Sequence, residues 1–111
     1  MVPAGSSWKG EMMRIYISGK VTGDEDNAKT RFDDAVQYLQ KRYPEAEIVN
    51  PLEVNSGFGK YAKPSHAEYM KISFALLDMC NGIYMIEGWE DSKGANQEYG
   101  YAKGRKYIFV E

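Results

Sequence analysis

A glutamate falls where the apolar side of a short helix should be. In "GWEDSKGANQEYGYAKG", residues 88–104, a helix begun near Gly94 puts Ala95, Glu98, Tyr99 and Ala102 at i, i+3, i+4 and i+7. Those positions share one stripe of the helix surface. A carboxylate kept there is poorly solvated, and such a group can serve as a nucleophile or a base. Gly94 and Ala95 leave room for a ligand, with Tyr99 and Tyr101 as walls. The competing reading is a rim carboxylate that turns to solvent or pairs with Lys103, Arg105 or Lys20.

Other residues carry weaker signals. "GKVTG" (19–23) has neither the Walker spacing nor G-x-G-x-x-G. It is either a two-glycine turn into a helix or a phosphate cradle of Gly19, Lys20, Thr22 and Gly23 at a helix N-terminus. Ser92 reads as an N-cap, although its hydroxyl could instead donate to a phosphate. Trp89 stands in a loop, which suits ligand stacking or an interface. His66 reads as a surface or capping-region residue, and Cys80 as a small buried hydrophobe. "DEDN" (24–27) is helix-end charge, because ligands at adjacent positions cannot converge on a metal without a long loop. One Cys and one His leave no zinc set, and no cofactor is expected.

These residues need elements to position them. "MRIYIS" (13–18) reads as a buried strand feeding the 19–23 turn. Ala28, Phe32, Ala35, Val36 and Leu39 then recur at helical spacing until Pro44. "AEIVN" reads as a second strand ending at Asn50, and 51–64 as a loop broken by Gly57, Gly59 and Pro64. "SHAE" (65–68) is a capping-box pattern that opens a helix with Tyr69, Ile72, Leu76 and Met79 on its stripe, Phe74 and Leu77 beside it. "GIYMI" (82–86) and "KYIFV" (106–110) complete four strands. The β-α-β-α-β-α-β order predicts a flavodoxin- or Rossmann-like, doubly wound parallel sheet of four to five strands in a single α/β domain. Ligands of such sheets bind at the carboxyl ends of the strands, where both the 19–23 loop and the loop before Glu98 should lie.

Composition bounds the rest. The chain has 111 residues and a net charge of -2, which gives no footprint for general nucleic-acid binding. No apolar run is long enough for a membrane span, and a lone cysteine suits the cytoplasm. Residues 1–12 read as a disordered leader or cloning remnant, and 13–111 as the domain.

From Arg14 to Val110 the chain resembles the nucleoside 2-deoxyribosyltransferase superfamily, nearest a small branch found in phages and bacteria. The resemblance rests on "IYISGKVTG", Phe32, "VNP", "EYM" and above all "LLDMCNGIYMIEGWEDSKGANQEYGYAKG". It implies cleavage or transfer at an N-glycosidic bond, with Glu98 of "EYGYA" attacking the sugar's anomeric carbon and Tyr16 orienting it. It further implies a nucleotide substrate. Transferases acting on free nucleosides carry an aspartate where this chain has Ser92, and the related deoxynucleoside 5′-monophosphate N-glycosidases carry serine. Three departures stand out. Ser73 occupies the place of the family's second catalytic acid, Asn81 that of an aspartate opening the third strand, and Lys20 that of a proline. The longer transferases also complete each site with a C-terminal segment of a neighbouring subunit, for which this chain has no room, although a homo-oligomer remains the family tendency. Two rival functions stand beside the enzyme: a nucleotide-binding module without chemistry, and an interaction protein using Trp89 and the tyrosines.

Overall fold

Along the first strand, Ile15 and Ile17 point to one side and Tyr16 and Ser18 to the other, all at most 1% exposed. A strand buried on both faces belongs inside a covered parallel sheet. That is its place in the computed structural model, which describes residues 13–55 and 64–111. The strands are β1 (Arg14–Ser18), β2 (Glu47–Val49), β3 (Gly82–Met85) and β4 (Ile108–Phe109), in the order β2-β1-β3-β4 with every pairing parallel. Tyr16 lies opposite Ile83, and Ser18 opposite Met85. The fold is thus the doubly wound α/β sheet expected from the sequence, with order reversing between β1 and β3.

Helix α1 (Glu25–Arg42) covers one face. Its buried residues Ala28, Phe32, Ala35 and Leu39 form a core with Ile15, Ile17, Ile86 and Val110. The other face carries α3 (His66–Asp78) and α4 (Lys93–Gly104), where Tyr16, Leu77, Cys80, Ile83 and Ala102 pack together. Burial pushes the Cys80 thiol up to about 12, and its Sγ donates to the Leu76 carbonyl. Among the described residues, no helix is long and apolar enough to cross a membrane.

Four sequence expectations need correction. Residues Pro51–Asn55 form a short helix, α2, rather than loop. Asn50 Oδ1 accepts from the Leu52 N–H at 3.0 Å, so Asn-Pro acts here as an N-cap followed by proline at the first helical position. On α3 the capping box of Ser65 and Glu68 is present, but the deepest stripe is Met70, Ser73 and Leu77. The helix is turned by about one residue, roughly 100°, because it packs against α4 as well as the sheet, and Met79 is left 58% exposed. Third, β3 stops at Met85, although the Ile86 N–H still bonds the Ser18 carbonyl. Last, β4 begins at Ile108, not at residue 106. The Tyr107 N–H bonds the Ala102 carbonyl and the Lys106 N–H that of Lys103, a Schellman cap on α4 that places Lys106 at φ 59°. Glycine is the usual residue there, so a lysine at this position does not announce the cap. The leader reading of residues 1–12 and the breaks at Gly57 and Gly59 lie outside the described residues.

Candidate active site

The reversal of strand order opens a crevice at the carboxyl ends of β1 and β3, and a cavity of about 340 Å³ occupies it. Tyr16 and Gly19 line it from β1 and the following turn, Thr22 from the same loop, and Ser92, Gly94, Ala95 and Glu98 from the start of α4. Those sequence-predicted residues converge. Lys20, Gly23 and Trp89 do not line the cavity. The Lys20 carbonyl accepts from Arg31, which also pairs with Asp24, and this fastens the loop to α1. Gly23, at φ 86°, makes the turn into that helix. Trp89 stacks on Tyr99 with ring centroids 4.8 Å apart, and Tyr101 stacks on Phe74. The tyrosines expected as walls are therefore engaged elsewhere.

Glu98 is 7% exposed and does not turn to solvent. Its Oε2 accepts from the Tyr16 hydroxyl at 2.6 Å and its Oε1 from the Ser18 hydroxyl at 2.6 Å. The rim reading, with Lys103, Arg105 or Lys20 as partner, is excluded by this geometry. Burial raises the carboxyl's pKa, while hydrogen bonds from Ser18, Tyr16 and Ser73 pull it down without cancelling the effect. The result is a carboxylate more basic than one in water, oriented at both oxygens, with one lone pair beyond these three bonds left for chemistry. Burial, and then the charge of Glu98, push the Tyr16 phenol well above its ordinary value, so it stays a donor.

Ser18 was missed in the sequence, although the strand period already placed it on the same face as Tyr16. Ser73 is buried and lines the cavity, so the position where the resemblance implies an acid does face the site. Asp78 and Glu68 do not substitute for it. Asp78 is exposed and bonded to Tyr101, and Glu68 is held in the cap with Ser65. Ser92 caps α4 by accepting from the Ala95 N–H at 3.1 Å, and among the described residues its own proton has no acceptor. His66, read as a surface residue, is exposed but also lines the cavity mouth, where it contacts Gln97. Apolar walls come from Phe32, Leu52 and Met70.

Sheet and site together define a doubly wound α/β protein with a buried carboxylate beside a ligand-sized cavity at its switch point. The chain belongs to the family described as Domain of unknown function (DUF4406), whose model matches residues 13–110. No curated protein and no solved structure matches it.

Proposed function

We propose that the protein cleaves, or transfers across, the N-glycosidic bond of a 2-deoxynucleotide or deoxynucleoside through a covalent glycosyl intermediate on Glu98. One observation carries the reading: a buried carboxylate lining a cavity, fixed by a phenol and a hydroxyl. A Glu98 oxygen bonds to the anomeric carbon as the bond to the base breaks, and the electron pair leaves with the base. The negative carboxylate stabilises the oxocarbenium-like sugar between these events. Water, or a second base, then takes the sugar and returns the carboxylate. Tyr16 and Ser18 keep the carboxylate aimed, so little orientation has to be won during reaction. The resemblance of "EYGYA" to the E-x-G-x-A motif of the nucleoside 2-deoxyribosyltransferase superfamily supports the same assignment. Ser92 favours a 5′-phosphate, since a hydroxyl at a helix N-terminus attracts the group that a carboxylate would repel. The resemblance and the lone Cys80 support a cytoplasmic homo-oligomer.

Incubation with each deoxynucleoside monophosphate, with free base measured, tests the proposal. Wild type releases base and Glu98→Ala does not; equal release by the two rejects the role of Glu98.

A second reading is a nucleotide-binding module without turnover. Ser73 favours it, because a serine hydroxyl cannot protonate a departing base near neutral pH as a raised-pKa carboxylic acid does. This reading expects nucleotides to raise the melting temperature with no base released.

A further inference from the structure

Two serine-capped helices begin at the mouth of the cavity. Ser65 caps α3 and Ser92 caps α4. The first residue of α3, His66, reaches across to α4, with its Nε2 3.1 Å from Gln97 Oε1. A Cβ on Gly94 would make ordinary contacts with the Met70 Sδ at 3.5 Å, the His66 Cε1 at 3.8 Å and the Ser92 Oγ at 3.9 Å. The space over Gly94 is thus bounded by a thioether, an imidazole and a hydroxyl, and Gly94, Met70, His66 and Ser92 all line the cavity that also holds Glu98.

A ring N–H given from Nε2 to Gln97 leaves Nδ1 as the nitrogen to meet a ligand. An adjacent anion favours the charged form of an imidazole, in which both ring nitrogens donate. The titratable groups that line the cavity with His66 are Tyr16 on β1, Glu25 at the start of α1, Tyr69 on α3 and Glu98 on α4; Asp91 and Lys93 flank Ser92 in the chain, and Glu68 follows two residues after His66. Glu68 is held by the Ser65 cap, and Glu98 by Tyr16 and Ser18.

Resting on the deoxynucleotide reading above, we propose that His66 selects 5′-monophosphates. Its imidazolium donates to the phosphate from the side opposite Ser92, so the phosphate binds together with a proton. A deoxynucleoside offers no such partner and binds without one. The phosphate end then sits over Gly94 and the anomeric carbon deeper, at Glu98, one turn further along α4.

Calorimetric binding to Glu98→Gln protein separates this inference from turnover. The ligands are one deoxynucleoside and its 5′-monophosphate, titrated in two buffers of different ionisation enthalpy and from neutral to mildly alkaline pH, where the phosphate is already the dianion. The monophosphate binds with proton uptake and weakens as pH rises, whereas the nucleoside does neither. His66→Gln weakens the monophosphate by about tenfold, the scale of one charge-assisted hydrogen bond, and removes the proton uptake while leaving the nucleoside unchanged. His66→Lys keeps the preference for the monophosphate and loses the pH response. Equal weakening of both ligands by His66→Gln, or weakening of neither, overturns the role of His66. If wild type still releases base from monophosphates, the deoxynucleotide reading survives that result. If neither ligand binds and no base is released, both fall.

Discussion

The Tyr16 hydroxyl donates to Glu98 Oε2 at 2.6 Å across 82 positions of sequence, joining the first strand to the last helix inside the protein. Ser18 makes the matching bond to Oε1 from the next residue on the same face of β1. Both donors stabilise and aim the charged form of the carboxylate. For the reaction proposed above, Tyr16→Phe and Ser18→Ala are each expected to lower base release by about 10- to 100-fold, the scale of a hydrogen bond to a charged group. Single-turnover rates measure the effect; an unchanged rate in both variants would mean that the bonds serve folding alone.

Stability should respond to pH through the same carboxyl group. Its folded pKa is raised, chiefly by burial, so the folded state holds the proton more tightly than the unfolded chain does. The stability this provides is fully present below the unfolded carboxyl value and is lost as pH rises through the folded one. Glu98→Gln mimics the protonated form and keeps polar atoms for Tyr16 and Ser18. Its melting temperature at neutral pH is expected to exceed that of wild type, with the gap closing in acid. Thermal melts across that range would contradict this if the gap were constant or reversed.

Gly19 stands where β1 hands the chain to the cavity loop. A Cβ there would lie 3.1 Å from both Cβ and Cδ1 of Ile86, which cannot retreat easily because its N–H is bonded to the Ser18 carbonyl at 2.8 Å. Gly19→Ala should cost about 1–3 kcal/mol as an overpacked contact. Urea denaturation reads that loss, and a stability equal to wild type would show that the loop moves aside.

Much of this could be read from the chain. The period of α1, the capping box at Ser65 and the apolar runs at β1 and β3 are local patterns, and local patterns survive folding. The inward stripe containing Glu98 was likewise visible, because helix spacing alone sets it. What failed depended on partners distant in sequence. Which side of α3 is buried deepest follows from its packing on α4 and the sheet together, so Ser73 rather than Ile72 lies on the buried stripe. Tyr99 looked like a ligand wall and Trp89 like a stacking or interface residue until their mutual stacking gave each a partner. The late start of β4 turns on Lys106 taking a left-handed conformation that its residue type does not advertise.

One strand supplies both the isoleucines of the α1 core and the hydroxyls that grip Glu98, on alternate residues. Slippage of β1 by a single position would exchange these sets, driving two polar groups into hydrocarbon and turning isoleucine toward the cavity. A mispaired sheet would therefore lose its interior and its carboxylate clamp in one stroke. Protection of the buried Tyr16–Glu98 contact during refolding accordingly times the correct alignment of that strand.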